Sequence, residues 1–200
     1  EYLATPGLFV EAMVAPHYDP AALEILTTRP KWKSNVRLME VGSLRMPQDV
    51  RHYRHIDGGL LVQEADLLAD EPQQWQVVTQ TAPTPAQLSE LQFAWAIARH
   101  VKSNAIVLSR NRCLCGAGAG QMSRVDSVDI AIRKAGDRAA GCVLASDAFF
   151  PFPDSIDRAA EAGIVAVIQP GGSRKDQEVI DACNARQLSM VFTGRRHFKH

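Results

Sequence analysis

The stretch Gly141-Cys-Val-Leu-Ala-Ser-Asp-Ala-Phe-Phe-Pro-Phe-Pro-Asp-Ser-Ile-Asp-Arg-Ala-Ala-Glu-Ala-Gly-Ile-Val-Ala-Val-Ile-Gln169 decides the fold. Its two ends, Gly141 to Ser146 and Ile164 to Gln169, are short apolar runs without polar alternation, the pattern of strands buried on both faces. Between them, Asp154 to Ala162 reads as a helix closed by Gly163, since glycine readily takes the left-handed conformation that ends a helix. Strand, helix and strand in this order form a parallel crossover. Downstream the unit repeats, with a helix from Ser173 to Arg186 and a third strand from Leu188 to Thr193. Upstream, Ser123 caps a helix that carries Val125, Val128, Ile132 and Ala135 on one face and stops at Gly136. Before it, Asn104 to Ser109, the turn Arg110-Asn-Arg112 and Cys113 to Gly116 read as a hairpin. Thr84-Pro85-Ala-Gln87 is a capping box opening an amphipathic helix, with Leu88, Leu91, Trp95, Ala98 and Val101 at helical spacing and an end near Lys102. The fold class is α/β: a mixed sheet covered by helices on both faces, with parallel crossovers in its second part.

The front of the chain follows less regular rules. Leu8 to Ala15 and Val36 to Val41 read as strands, separated by a helix through Leu26 that Asp19 caps and Pro20 starts. Arg51 to Ile56 and Gly59 to Ala65 read as a pair of strands turning at Gly58-Gly59. Asp66 to Pro83 is polar, rich in Gln and interrupted by Pro72, and reads as a linker. The expected division is therefore 1–83, strands, helix and linker, and 84–200, the core that carries the loops of interest.

Composition narrows the function. Of 200 residues, 46% are apolar and 22% charged, outside the regime that stays disordered. Lys plus Arg equals Asp plus Glu at 22 each, so no net field draws the chain to nucleic acid or anionic lipid. No apolar run approaches the roughly 20 residues of a membrane helix, and Glu1 to Pro6 lacks a signal-peptide pattern, so a cytoplasmic location is expected. The missing initial Met points to a piece of a longer protein. The four cysteines, at 113, 115, 142 and 183, have neither redox nor zinc-knuckle spacing and read as reduced thiols. His52-x-x-His55 has no acidic or Cys partner nearby, so no metal site is expected there. The absence of an HxE with PCxxC pattern removes zinc deaminase chemistry, and no GxSxG elbow is present.

In open α/β sheets ligands bind beyond the carboxyl ends of the strands, so three loops stand out. Gly116-Ala-Gly-Ala-Gly120 precedes a helix N-terminus, where free N–H groups suit an anion or a carbonyl oxygen; equally, its glycines could serve only a tight connection. Ser146 to Asp154 packs three phenylalanines and two acids into nine residues. Such aromatics are usually packing, but the flanking carboxylates would suit an apolar slot for a flat heterocycle with ring N–H donors. Gln169-Pro-Gly-Gly-Ser173 has small residues and then a Ser positioned as a cap, a pattern that needs no ligand. Asn104 stands at a helix-to-strand boundary, where it often only caps, and the basic end Thr193 to His200 would by default be a solvated tail.

Lys102-Ser-Asn-Ala-Ile-Val107, Gly118-Ala-Gly-Gln-Met-Ser-Arg-Val-Asp-Ser127, Ser146-Asp-Ala-Phe-Phe-Pro-Phe152, Val167-Ile-Gln-Pro-Gly-Gly-Ser173 and the ending Phe192-Thr-Gly, Arg196-His-Phe198 resemble the carboxyl-terminal part of the bifunctional purine biosynthesis protein family. That family joins aminoimidazole carboxamide ribotide (AICAR) formyltransferase to inosine monophosphate (IMP) cyclohydrolase. The resemblance is dense from about residue 84 to 200 and looser before. It implies a cytidine-deaminase-like three-layer sandwich without zinc, one of two such halves of the transferase region. It implies that Asn104 and Arg196 face the ribotide, Asn104 as a catalytic donor to the formyl oxygen. Arg124, Phe149, Asp154, Ser173 and Arg174 would face the folate. It further implies 10-formyltetrahydrofolate as co-substrate, no tightly bound cofactor, a homodimer, and no nucleic-acid or membrane partner. The family's Lys-His catalytic pair lies upstream and has no counterpart here, so the chain alone is expected to be inactive. Pro153 replaces the Arg usual in the Phe-Arg-Asp run, and Arg195 stands where Met or Leu is common. A non-catalytic module or degenerate paralogue, binding ligand or dimerising without turnover, is the competing reading.

Overall fold

The computed structural model of the chain describes residues 8–43 and 50–200, which fall into two units divided between Leu67 and Leu68. The opening Glu1 to Pro6 read above lies outside the described residues.

In the first unit β1 (Ala12–Ala15) pairs in parallel with β2 (Arg37–Glu40), and α1 (Pro20–Thr28) connects them. Asp19 caps this helix by accepting from the Ala21 N–H at 2.9 Å, with Pro20 at its first position, as expected. Trp32 is buried and its indole N–H donates to the Leu8 carbonyl at 3.0 Å. β3 (Arg51–Ile56) and β4 (Gly59–Glu64) form an antiparallel ribbon whose residues are all exposed. Its turn is Asp57-Gly58, one residue earlier than expected, because the left-handed φ of +73° falls on Gly58 alone.

The second unit is built on six strands in the order β5-β10-β9-β8-β6-β7. These are β5 (Gln76–Val77), β6 (Ile106–Arg110), β7 (Cys113–Gly118), β8 (Val143–Ser146), β9 (Ala166–Gln169) and β10 (Ser189–Phe192). β8, β9 and β10 are parallel, while β6 runs antiparallel to β8 and to β7, so the sheet is mixed. The helices are α2 (Pro85–Ala98), α3 (Arg124–Ala135), α4 (Asp154–Glu161) and α5 (Asp176–Ala185). Thr84 and Gln87 close both halves of the capping box. The β6–β7 turn places Asn111 and Arg112 at φ values of 55° and 54°, the left-handed pair that suits the twist of a two-residue hairpin.

Side-chain alternation sorts the strands between two cores. Ile106, Leu108, Leu144, Val167 and Met190 pack with residues of α3, α4 and α5. Val107, Val143, Ala145, Ile168 and Val191 pack with Leu91, Ala94, Trp95 and Ala98 of α2. The result is three layers, with one helix on one face and three on the other.

The expected linker is the clearest departure. Pro72–Gln74 form a single 3-10 turn, and Gln76–Val77 pair antiparallel with β10 at the sheet edge. Residues 68–83 therefore belong to the second unit, and the boundary lies at Leu67 rather than 83. A strand of two exposed residues has no hydrophobic alternation by which to be read. Two helix ends also moved. α2 stops at Ala98 instead of Lys102, where tighter bonds from His100 N–H to Ile97 and Val101 N–H to Ala98 take over. α5 starts at Asp176 instead of Ser173, because the Asp176 carboxylate accepts from the Gly172 and Ser173 N–H groups at 2.7 and 3.1 Å and holds them as a preceding turn.

Candidate functional site

Because β6 and β8 are antiparallel, with Ile106 opposite Ser146, the start of β6 lies beside the end of β8. Ile106 is also opposite Gly118 at the end of β7, and Phe192 opposite Gln169 joins the ends of β10 and β9. The Asn104 segment, the Gly120 to Arg124 loop, the Asp147 to Asp154 loop, the Pro170 to Arg174 loop and the tail from Thr193 consequently share one edge of the sheet.

Arg124 organises this edge. Its guanidinium Nη1 donates to Ser146 Oγ at 2.8 Å and Asp147 Oδ1 at 2.6 Å, and Nη2 donates to Asn104 Oδ1 at 2.9 Å. The Arg124 and Asp147 side chains are 6% and 0% exposed, so this ion pair is screened from solvent. Asp147 Oδ1 also accepts from the Ala105 N–H at 3.1 Å, and Oδ2 accepts from the Ser103 hydroxyl. The two acids expected at the rim of one slot thus separate: Asp147 is internal, and Asp154 alone is exposed. Asp154 Oδ1 accepts from the Ser155 N–H at 2.7 Å at the first turn of α4, where a carboxylate is favoured by the helix dipole.

Asn104 is half-buried, and both of its amide hydrogens are committed, to the carbonyls of Gln121 at 2.9 Å and Met122 at 3.2 Å. Its oxygen faces the Arg124 donor, an orientation fixed by that network. The amide expected to donate to a formyl oxygen has no hydrogen left for it in this arrangement; its carbonyl oxygen retains a free lone pair.

Arg196 lies over the half-buried ring of Phe149, 4.8 Å from its centroid, and a Cβ on Gly172 would sit 3.8 Å from Arg196 Nη2. The residue expected at the ribotide and the aromatic expected at the folate are therefore neighbours. Lys175 lies 4.7 Å over Phe152, while Phe150 is wholly buried in the core. Ser173 Oγ accepts from the Lys175 N–H at 3.1 Å, and Arg174 is exposed beside it.

Gly116 and Gly118 are not an anion cradle. They lie in β7 against α3, where a Cβ would come within 2.1 Å of the Ala131 carbonyl oxygen and 1.9 Å of that of Ser127. They serve the close approach of strand and helix, the plainer of the two readings. His52 and His55, three apart on one strand, point to opposite faces, and no metal-binding group of three or more His, Cys, Asp or Glu occurs among the described residues.

A cavity of about 340 Å³ lies beside this edge, lined by Asp70, Trp75, Phe192 and Arg195 among others, and by none of the candidate site residues. Asp70 is a hub the sequence did not reveal, since it stood in the supposed linker. Its Oδ1 accepts from the Trp95 indole at 3.1 Å and lies 3.3 Å from His197 Nε2. His197 is buried, so the segment around it is packed rather than frayed. Arg195 donates to the Ala69 carbonyl at 2.9 Å.

The family described as "AICARFT/IMPCHase bienzyme" matches residues 3–134. The chain belongs to this family. The match takes in the front third, so the kinship is not confined to the part after residue 84. Among curated relatives, the bifunctional purine biosynthesis protein PurH of Rhodopirellula baltica is 58% identical over 200 residues, all of this chain and 38% of that protein. Those of Sorangium cellulosum and Gloeothece citriformis are 54% and 53% identical over 96% of the chain and 36% of their own length. The chain thus spans little more than a third of these relatives. A solved structure, Acinetobacter baumannii RibD form 2, overlaps 54% of the chain and 35% of its own at 15% identity and a TM-score of 0.37, too slight a likeness to bear on the fold. No helix among the described residues is long and apolar enough to cross a membrane.

Proposed function

We propose that this chain is the second, deaminase-like half of an AICAR formyltransferase region, forming the carboxyl-terminal part of a bifunctional enzyme of purine biosynthesis in the cytoplasm. The observation that carries this reading is the gathering of the densest family motifs at one sheet edge, linked by the Arg124–Asn104 hydrogen bond. In the reaction the ribotide amine attacks the formyl carbon of 10-formyltetrahydrofolate, the bond from that carbon to N10 breaks in the tetrahedral adduct, and the proton the amine gives up is balanced by the one N10 takes as tetrahydrofolate leaves. An amine beside a carboxamide is a weak nucleophile and needs a positioned base, which typically contributes roughly 100- to 10,000-fold. That base comes from outside this chain.

The roles within the chain follow the geometry. Asn104 Oδ1 accepts a hydrogen bond from the ribotide amine and orients its lone pair toward the formyl carbon. Arg196 pairs with the ribotide phosphate. Phe149 supplies a flat surface for the folate ring system, and Asp154 accepts from its ring N–H groups, with Ser173 and Arg174 on the adjacent turn. Arg124, consumed by its own network, supports Asn104 from behind instead of touching the folate. The homodimer also belongs to this reading, supported by the exposed Tyr53, Leu60, Leu61 and Val62 of the β3–β4 ribbon.

Calorimetry of the full-length protein with a folate analogue tests this assignment. Asp154→Ala weakens binding by about 1.5 to 3 kcal/mol, the usual value of a charge-assisted hydrogen bond. Unchanged affinity in a folded variant contradicts it. The alternative, a binding module without turnover, is favoured for the chain in isolation by its coverage of only 38% of its relative's length.

A further inference from the structure

Arg196 is exposed and lies outside any strand or helix, yet the residues on either side of it are fixed to one short segment, 68–70. Arg195 Nη1 donates to the Ala69 carbonyl at 2.9 Å and reaches that of Leu68 at 3.4 Å. His197, whose side chain is wholly buried, places Nε2 3.3 Å from Asp70 Oδ1. A carboxylate only accepts, so Nε2 carries the hydrogen of this bond. Segment 68–70 is in turn held to α2: Asp70 Oδ1 accepts from the Trp95 indole at 3.1 Å, Arg99 Nη1 lies 3.6 Å from Asp70 Oδ2, and Arg99 Nη2 donates to the Leu68 carbonyl at 2.9 Å. The His197 ring packs on Trp95 with centroids 4.9 Å apart. Beyond Asp70, β5 pairs with β10, with Gln76 opposite Phe192, so the segment is anchored to the sheet as well. Gripped at 195 and at 197, the chain turns the Arg196 side chain over the Phe149 ring.

We propose that Asp70 is a positioning residue for ribotide binding, acting through His197 to hold Arg196 aimed over Phe149 at the phosphate. The role rests on the functional reading above, in which Arg196 pairs with that phosphate. Asp70 itself touches no ligand. Without its carboxylate, the Arg195 bonds to the Leu68 and Ala69 carbonyls still attach the segment on one side, whereas the anchor at 197 loses its partner and the backbone at 196 can pivot. The loss is therefore one of aim, and it falls on the ligand that Arg196 contacts.

The test has a binding and a spectroscopic arm. By calorimetry of the full-length protein, D70A weakens AICAR binding by about 3- to 30-fold, within the range of couplings inside one hydrogen-bond network, while affinity for a folate analogue stays within about twofold of wild type. On an R196A background D70A costs less than about twofold more, because its effect passes through Arg196. Unchanged AICAR affinity in folded D70A, equal losses for both ligands, or losses additive with R196A overturn the proposal. H197L, which cuts the same link and leaves Asp70 with Trp95 and Arg99, serves if D70A does not fold: its loss is equally selective for AICAR and non-additive with R196A, and any other pattern overturns the proposal too. In the 200-residue chain, nuclear Overhauser contacts between the Arg196 side chain and the Phe149 ring are present in wild type and disappear in D70A and H197L; contacts that persist contradict the relay. This arm needs no ligand, so an R196A protein that binds AICAR as wild type does defeats the functional reading of Arg196 while the spectra still decide the positioning role.

Discussion

Arg196 stacks on Phe149, with the guanidinium 4.8 Å from the ring centroid, so the carboxyl-terminal segment and the loop after β8 present one surface. A cation over an aromatic face contributes ~0.5 to 1 kcal/mol at an exposed site. Phe149→Ala should therefore weaken ribotide binding as well as folate binding in the full-length protein, because Arg196 loses its platform. Calorimetry with each ligand separately checks this; a loss confined to the folate would mean the two residues act independently.

Gly118 carries a packing prediction. A methyl group there meets the Ser127 carbonyl at 1.9 Å, backbone against backbone, which no rotamer change relieves. Gly118→Ala should destabilise the chain by ~1 to 3 kcal/mol, the usual cost of overpacking. At Gly59 an added Cβ meets only the Ile56 side chain at 3.8 Å, so Gly59→Ala should leave the thermal midpoint near that of wild type. Thermal melts of the two variants side by side separate close packing from a general effect of replacing glycine.

The thiols should behave unequally. Cys113 is exposed, whereas Cys115, Cys142 and Cys183 are buried. Burial pushes the Cys142 and Cys183 thiols up from 9.0 to about 12, so they stay protonated and unreactive at neutral pH. Mass spectrometry after brief iodoacetamide treatment should show one modification, at Cys113. The linkage sign follows: a raised folded-state pKa favours the native state fully below 9.0, and that contribution is lost progressively as pH rises toward about 12. Denaturant midpoints should fall over this alkaline window, and replacing Cys183 with Ala should remove part of the slope.

His17 and Glu40 lie 2.9 Å apart on the surface of the first unit. The carboxylate hydrogen bond and charge raise the His17 pKa above 6.5, and the imidazole hydrogen bond lowers that of Glu40 below 4.5. The imidazolium contribution is present below 6.5 and lost as pH rises through the raised value; the carboxylate contribution is present above 4.5 and lost as pH falls through the lowered one. The pair is therefore most favourable between those limits, and full exposure keeps its effect small. Titration of the His17 ring by NMR should show a pKa above 6.5 that drops in Glu40→Gln; a ring indifferent to that change refutes the pairing.

Much of the second unit was legible because its signals are local. Thr84 with Gln87, Ser123 with Gly136, and the apolar runs at 143–145 and 166–168 each carry their own cap, stop or period, and the structure places strands and helices there. Asp70 and the strand at Gln76–Val77 were not legible, since a two-residue edge strand has no period and its meaning comes from Val191 and Phe192 more than a hundred residues away. The motif around Asp147 was visible, but its role was not: spacing alone does not tell an acid that lines a slot from one that pairs with a buried arginine. The same holds for Asn104, whose residue type suggested a donor and whose neighbours consume both donor hydrogens. The glycines of β7 show the converse, a pattern suggestive of a ligand loop that close strand–helix packing explains fully.

On the proposed reading this chain supplies the ligand-positioning half of a formyltransferase, and the base lies outside it. Its most direct test is formyl transfer from 10-formyltetrahydrofolate to AICAR, measured for the purified 200-residue chain and for the full-length protein that carries it. The expected result is turnover by the full-length protein and none by the chain. Comparable turnover by the chain would place the base within it, and no turnover by the full-length protein would contradict the assignment of the reaction.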